Sequence, residues 1–267
     1  MSRARLAAFV DGVGLLGPGL SDWPAALPVL RGLAPWVNAP TVLPVPESLP
    51  AAERRRTGAI VKLSLAAGLE AVRHAGADAT TLPAVFTSSG GDGQNCHEIC
   101  QVLATAERQI SPTRFHNSVH NAAAGYWGIA TGATAAASAL CAYDASFAAG
   151  LLEALAQVQS EDTAVLLVAY DAGYPEPIRA RRSILGALAV ALVLSPAGGR
   201  APLARIEANL THAPPEKLAA PLEQLRRGVP AARSLPLLAL LASATAGTAV
   251  LEYLGATSLG VAVSPCR

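Results

Sequence analysis

Two apolar stretches constrain the fold more than any other feature of the sequence. Residues Ala164–Ala169 are wholly apolar, and Ser183–Leu194 are apolar throughout between their ends. A strand with one face in water alternates apolar and polar residues, whereas a strand without that alternation is covered on both faces. We therefore predict an α/β fold in which a mainly parallel mixed sheet lies between layers of helices.

Hydrophobic spacing and turn residues predict that strands and helices alternate along the chain. The predicted strands are Leu6–Val13, Ala84–Thr87, Thr131–Ala139, Ala164–Ala169, Ser183–Leu194, Arg205–Asn209 and Leu259–Val263. The predicted helices are Trp23–Leu33, Ala51–Ala75, Asn95–Arg108, Tyr143–Val158 and one buried helix in Leu235–Leu251. The proline-rich stretch Pro214–Pro236 is interpreted as a connection.

The charge balance excludes some classes of partner. Lys and Arg total 20 and Asp and Glu total 19 among 267 residues, so no general basic field attracts nucleic acid or an anionic membrane. The basic clusters Arg54–Arg56 and Arg179–Arg182 are interpreted as solvated surface, with a phosphate-bearing ligand or acidic partner as the alternative.

The sequence predicts neither a signal peptide nor a membrane span. Asp11 interrupts the apolar N-terminal run before it reaches the length of a signal peptide. The run Leu235–Leu251 is about 17 residues long and contains Ser243, which favours a buried helix over a membrane span. Four cysteines without matched spacing, in a chain without an export signal, predict a cytoplasmic protein.

A cysteine and histidine constellation approximates the spacing of a zinc finger. It combines Cys96-His97-x-x-Cys100 with His116-x-x-x-His120. A finger needs a small independent unit, whereas these cysteines lie one turn apart in a predicted helix of a large domain. We therefore predict no metal, with two half-buried cysteines and loop histidines in its place.

The glycine-rich turn Ser88–Gly93 lies between a predicted strand and a predicted helix. Turns of this kind can place backbone N–H groups against phosphate. This turn lacks the lysine of a P-loop and the three-glycine dinucleotide spacing. A plain strand-to-helix turn is the favoured interpretation.

Cys141 lies where a predicted strand meets the predicted helix Tyr143–Val158. Backbone N–H groups and the helix dipole at such a point lower a thiol pKa and can hold an oxyanion, so the place suits a nucleophile. The alternative is an inert cysteine that only packs.

An ordered series of segments resembles the N-terminal half of a β-ketoacyl synthase of the thiolase superfamily. The series consists of Asp11–Pro18, Phe86–Gly93, Ser111–Gly125 with Asn121 and Gly125 in matching places, Ala164–Ala172 and Ser183–Leu194. The resemblance implies a thiolase-like layered fold and no cofactor.

The segment Ala145–Ala154 resembles a narrower group, the shortened ketosynthase-like proteins called chain length factors of aryl polyene and xanthomonadin-type biosynthesis. This resemblance implies one ketosynthase-like domain over residues 1–267. Residues 1–210 would then correspond to the N-terminal half, and residues 211–267 would be what remains of a strongly truncated second half.

The chain departs from a working ketosynthase in its histidines. The family is implied to use a cysteine nucleophile from the first half and two histidines from the second half, which promote decarboxylation and stabilise the oxyanion. Downstream of Cys141 the chain has one histidine, His212, and no His-Gly-Thr-Gly-Thr motif. We therefore expect Cys141 to hold the position of the nucleophile without its activity.

Two functions remain open at this stage. In the favoured one the chain is a non-catalytic partner of a full-length β-ketoacyl synthase, with an acyl carrier protein as a further partner, and Thr131–Ala139 lies along the pseudo-dyad of the heterodimer. The residues predicted for the acyl tunnel or the interface are Tyr126, Trp127, Tyr143, Phe147, Asn121 and His120. Simple core packing is the alternative for each aromatic residue among them.

The rival function is that of an enzyme. It is an acyltransferase, ketosynthase or hydrolase that uses Cys141, with His116, His120 or His212 as its base.

Overall fold

One eight-stranded mixed sheet organises the fold in the computed structural model, which describes residues 6–266. The strands are β1 Leu6–Leu16, β2 Ala84–Thr87, β3 Ala137–Leu140, β4 Val165–Asp171, β5 Leu188–Ser195, β6 Ala204–Thr211, β7 Gly247–Leu254 and β8 Thr257–Pro265. Their order across the sheet is β3-β2-β4-β5-β1-β6-β8-β7, so β3 and β7 form its edges.

Ten helices surround this sheet in the described part of the chain. They are α1 Trp23–Leu30, α2 Ala51–Arg54, α3 Ala59–Ala75, α4 Gly93–Leu103, α5 Pro112–His116, α6 Ala122–Thr131, α7 Ser146–Glu161, α8 Ile178–Arg181, α9 Ala220–Gly228 and α10 Leu235–Ser243. Two short 3-10 helices, Tyr143–Ala145 and Pro230–Ser234, precede α7 and α10.

Alternate residues of the central strands point into two separate cores. Along β4, Val165, Leu167 and Ala169 belong to the core that also contains residues of α7 and α10. Leu166 and Val168 belong to the other core, which contains residues of α3 and α6. Strands β4 and β5 are buried at every position. The predicted layered architecture is therefore confirmed.

The strand directions differ from the prediction. Only the pairs β2–β3 and β2–β4 are parallel, whereas the other five pairs among the described strands are antiparallel. The expectation of a mainly parallel sheet is corrected accordingly. Apolar residues on both faces report that the strands are covered, whereas direction depends on the connections, and β7–β8 is joined by a tight turn rather than a crossover helix.

Several predicted boundaries also need correction. The predicted strand Thr131–Ala139 begins only at Ala137, because α6 continues to Thr131 and ends at Gly132 with a left-handed φ of 74°. The apolar run Leu235–Leu251 is not one helix, since α10 ends at Ser243 and β7 begins at Gly247. The predicted connection Pro214–Pro236 contains α9.

Other predicted elements keep their type with shifted ends. The predicted helix Ala51–Ala75 is interrupted between α2 and α3, and the predicted strand Ser183–Leu194 begins at Leu188. Residues 1–5, which include half of the apolar N-terminal run, lie outside the described residues. Within residues 6–266 no helix is both long and apolar enough to cross a membrane.

The C-terminal segment, residues 211–266, folds back against the residues that precede α7. Strand β7 lies at the opposite edge of the sheet from β3, yet it contacts both α7 and the 3-10 helix Tyr143–Ala145. The sheet therefore curls around α7. This curl places β7 against the connection between β3 and α7.

Helix α3 approaches β1 so closely that the strand needs glycine. A Cβ atom on Gly14 would lie 2.0 Å from the carbonyl oxygen of Ala67, and one on Gly12 would lie 2.2 Å from that of Ala71. Both obstacles are backbone atoms of α3, which cannot move without displacing the helix.

We predict that Gly14→Ala lowers the free energy of unfolding by about 2 to 3 kcal/mol, because the added methyl group forces α3 away from the sheet. Urea unfolding followed by circular dichroism measures this change. Gly125→Ala is the control, since Gly125 is a helical residue and no atom lies within 4 Å of the place that an added methyl group would occupy. The free energy of unfolding of the control should rise by about 0.5 to 1 kcal/mol. Equal effects of the two variants would contradict the proposed close approach.

Candidate functional site

The neighbouring strands β3, β2 and β4 run parallel, so their carboxyl ends lie side by side. Ligand sites of open α/β sheets form at the carboxyl ends of such strands. Several polar side chains lie at these ends or in the loops that follow. We call them the strand-end cluster, which consists of Ser88, Ser89, Cys141, Asp171 and Tyr174.

Asp171 is the buried centre of this cluster. Asp171 is the last residue of β4 and is 2% exposed. Its Oδ1 accepts hydrogen bonds from the backbone N–H of Ser89 at 2.8 Å and from the hydroxyl of Ser88 at 3.4 Å. Burial raises the pKa of this carboxyl to about 6, although the hydrogen bonds from Ser89 and Ser88 oppose the shift. Asp171 therefore ties the end of β4 to the turn after β2.

Three backbone amides of the turn Ser88–Gly93 donate hydrogen bonds to side chains of the protein. The N–H of Ser89 is bound to Asp171, and the N–H groups of Gly90 and Gly91 donate to Ser88 Oγ at 3.4 and 3.0 Å. Asp92 caps α4 by accepting from the N–H of Asn95. These contacts use three of the turn's amides within the protein and favour the interpretation of a plain strand-to-helix turn.

The glycines of this turn allow a ring to pack against it. A Cβ atom on Gly90 would lie 1.9 Å from the hydroxyl oxygen of Tyr174, and one on Gly93 would lie 2.2 Å from the same ring. The ring of Tyr174 therefore covers the turn directly. A side chain at either glycine would displace it.

Cys141 is exposed and follows the last residue of β3. Its thiol donates a hydrogen bond to the carbonyl oxygen of Ser89 at 3.2 Å. Helix α7 begins only at Ser146, after the 3-10 helix Tyr143–Ala145. Cys141 thus lies at the end of a strand, as predicted, but not at the N-terminus of the helix.

The strained residue of this connection is Tyr143. Its φ is 53°, in the left-handed region that bulky residues rarely adopt. A nucleophile elbow presents its nucleophile on a sharp, strained turn between a strand and a helix. Between β3 and α7 that strained position holds a phenol rather than the thiol of Cys141.

The histidines that were considered as bases contact other groups. Nε2 of His120 lies 3.1 Å from the carbonyl oxygen of Leu140, the residue before Cys141. The ring of His116 lies edge-on to the ring of Tyr126, with their centroids 6.3 Å apart. Nδ1 of His212 lies 3.3 Å from the carbonyl oxygen of Ala256. Within residues 6–266 the thiol of Cys141 is thus hydrogen-bonded to a carbonyl oxygen and not to an imidazole.

The structure separates the predicted tunnel or interface residues into two groups. Tyr126, Trp127 and Phe147 are at most 2% exposed and pack in the chain's own cores. Tyr143 is 60% exposed. Asn121, which precedes α6, is exposed, and His120 is partly buried. Their role in a tunnel or interface stays a prediction.

An exposed apolar surface next to these residues was missed by the sequence analysis. Phe115, Val119 and Ile129 are 68%, 53% and 46% exposed and line a cleft of about 480 Å³. We call this surface, formed by α5, α6 and the residues between them, the apolar patch. Phe115 and Ile129 lie on short helices and Val119 lies between them, so the sequence carries no periodic pattern that separates an outward from an inward face.

The cysteines of the suspected zinc constellation lie apart from any metal-ligating cluster. Cys96 and Cys100 are exposed on α4 rather than half-buried, and partial desolvation together with the neighbouring Cys100 thiol raises the pKa of Cys96. No group of three or more His, Cys, Asp or Glu side chains that could hold a metal ion occurs within residues 6–266.

A family model decides the identity of the chain. The model of the β-ketoacyl synthase N-terminal domain matches residues 33–249, which is more than half of the chain. The chain belongs to the β-ketoacyl synthase family. The resemblance drawn from Ser111–Gly125 and the neighbouring segments is therefore confirmed. No curated protein sequence matches this ketosynthase-family chain.

Solved structures share the fold. A chain of the structure described as the ketosynthase ApeO in complex with its chain length factor ApeC, from Xenorhabdus doucetiae, is 22% identical, with a TM-score of 0.73 over 96% of this chain and 99% of that one. A chain of the ishigamide ketosynthase/chain length factor is 14% identical, with a TM-score of 0.74 over 98% and 100%. A β-ketoacyl synthase from Burkholderia phymatum STM815 is 13% identical, with a TM-score of 0.59 over 91% and 71%. The ketosynthase-like fold is thereby established.

We predict that protonation of Asp171 stabilises the fold. A carboxyl with a raised folded-state pKa contributes stability that is present at low pH and is lost as the pH rises through about 6. The free energy of unfolding of the wild type, minus that of Asp171→Asn, should therefore be about 1 kcal/mol larger at pH 5 than at pH 7.5. Urea unfolding at both pH values measures it, and Glu161→Gln, on the exposed end of α7, is the control. The same difference at both pH values would show that Asp171 does not titrate as expected.

Proposed function

We propose that this chain is a non-catalytic, chain-length-factor-type partner of a full-length β-ketoacyl-acyl carrier protein synthase in polyene, polyketide or fatty-acid-type chain elongation. The observation that carries the proposal is the connection between β3 and α7. Its strained position holds Tyr143, and the thiol of Cys141 is bound to a carbonyl oxygen. A thiolate poised for attack needs a base or a cationic neighbour instead.

The solved structures support a partner of this kind. Two of them are described as a ketosynthase with its chain length factor, and this chain covers 99% and 100% of the matched chain. It covers only 71% of the Burkholderia β-ketoacyl synthase. The chain thus has the extent of the matched chains from such complexes.

Strand β3 supplies the edge for pairing. It is bonded to β2 on one side only, and it is the edge of the described sheet. None of its four residues is buried, whereas all four residues of β2 are. The apolar patch lies beside it, because α6 contacts β3. A partner strand along β3 would satisfy its free backbone groups and cover the patch.

The predicted tunnel residues take an indirect role in this proposal. Tyr126 and Trp127 anchor α6 in the core and thereby fix the shape of the apolar patch, and the hydroxyl of Tyr126 donates to Asn117 at 3.1 Å. Phe115 and Ile129 are then the side chains of this chain that reach toward the partner's acyl chain. Asn121 and His120 belong to the patch, and Tyr143 and Phe147 follow β3 in the chain.

The domain organisation follows from the same proposal. Residues 1–210 correspond to the N-terminal half of a ketosynthase, and residues 211–267 are the residual second half. The latter contributes β7 and β8, which extend the sheet beyond β6.

We predict that Ile129→Asp weakens pairing with a co-expressed full-length β-ketoacyl synthase. Burying an unpaired carboxylate in an apolar interface is costly, so the affinity should fall at least tenfold. Co-expression and size-exclusion chromatography with light scattering measure the complex. Val42→Asp is the control, because Val42 is 81% exposed in the loop before α2. Equal losses in both variants, or no complex for the wild type, would refute the proposed pairing.

We predict that Cys141→Ala leaves chain elongation by the complex within twofold of the wild type. The thiol is not expected to carry an acyl group, so its removal takes away only one hydrogen bond. Mass spectrometry after incubation with acyl-loaded carrier protein checks this directly. Stoichiometric acylation of the wild type that disappears in Cys141→Ala would favour the rival enzyme.

A further inference from the structure

A network of six charged side chains joins the C-terminal segment to the strained connection before α7. Three arginines alternate with three carboxylates in it, so their charges balance. The members are Asp144, Arg182, Glu223, Arg226, Arg233 and Glu252.

Asp144 is the end of the network that touches this connection. Its Oδ1 accepts from Arg182 at 2.8 Å and its Oδ2 accepts from Arg233 at 3.0 Å, so both oxygens are used. The two arginine side chains are 18% and 17% exposed. They come from different segments, one beside α8 and the other from the 3-10 helix Pro230–Ser234.

The other end of the network is anchored in the C-terminal segment. Arg233 also pairs with Glu252 of β7, which accepts from Arg226 at 3.2 Å. Arg226 is 5% exposed and binds both oxygens of Glu223 at 2.7 Å. These contacts hold the pKa of Glu223 at about 2. A bidentate pair in a buried setting is rigid and fixes where Glu252 and Arg233 lie.

Tyr143 receives a second contact from the same network. The guanidinium carbon of Arg182 lies 3.7 Å from the centre of the Tyr143 ring, while the same guanidinium binds Asp144. The residue with the left-handed φ is therefore held through its ring and through its neighbour. A strained backbone persists only where its surroundings determine it in this way.

We propose that the C-terminal segment imposes the conformation of the connection between β3 and α7 through Asp144, and that Asp144, Arg182 and Arg233 are positioning residues for Tyr143. In this view β7 and α9 have a role beyond their own packing. They set the shape of the surface that lies directly after β3. Its use in pairing rests on the proposed function, but the conformation itself is a property of the isolated chain.

A double-mutant cycle on the isolated chain tests the proposal. Tyr143→Gly and Tyr143→Ala both remove the ring, so their difference contains the cost of the left-handed backbone and the entropy of glycine, and the second of these cancels between backgrounds. With Asp144 intact, the relief of the left-handed backbone exceeds the entropy that glycine loses on folding, so the unfolding equilibrium constant of the glycine variant should be about fivefold lower than that of the alanine variant, which corresponds to about 1 kcal/mol. In the Asp144→Asn background the ratio should fall below twofold, because the connection is free to relax.

A purely structural network gives a different result. Loss of Asp144 would then destabilise both variants equally, and the fivefold ratio would persist in the Asp144→Asn background, which overturns the proposal. Asp162, with a φ of 49° at the other end of α7, is the control position. The ratio between Asp162→Gly and Asp162→Ala should not change with Asp144→Asn.

Arg182→Gln provides a second background in case Asp144→Asn does not fold, since it removes one of the two arms that hold Asp144. A ratio below twofold in this background supports the proposal, and an unchanged ratio overturns it. Neither result depends on a ketosynthase partner, so failure of the cycle and failure of the pairing experiment are distinguishable.

Discussion

The covering of one sheet on both faces is the constraint on which the rest of the structure depends. Strands β4 and β5 are buried at every position, so helices must pack on each side of them. Helix α3 meets this demand on one face by lying directly on Gly12 and Gly14 of β1, and α7 meets it on the other. Once both faces are closed, chemistry is confined to the strand ends and pairing to the edges.

The sequence predicted the layers better than the directions and boundaries. Unbroken apolar runs identified β4 and β5, because burial on both faces leaves that signature in any strand. The same runs carry no information on whether neighbours are parallel. They also could not divide Leu235–Leu251 into α10 and the start of β7, since leucine and alanine suit a buried helix and a buried strand alike.

The candidate site shows a similar division. The sequence predicted that Cys141 ends a strand and that Ser88–Gly93 forms a plain turn, since local residue order determines both. It did not identify Asp171, whose importance comes from burial beside a turn 82 residues away. Nor did it show that Tyr143 has the strained backbone, because the contacts around that residue come from distant segments. Long-range contacts of this kind leave no local pattern.

The open edge of β3 has a consequence for handling the protein. Its residues Ala137–Leu140 carry no charge and no proline, which are the devices by which sheets protect an edge from unwanted pairing. An edge of this kind bonds with whatever strand is available. In a concentrated solution of the chain alone, we expect that strand to be the β3 of another copy. Self-association during purification would then follow directly from the open edge.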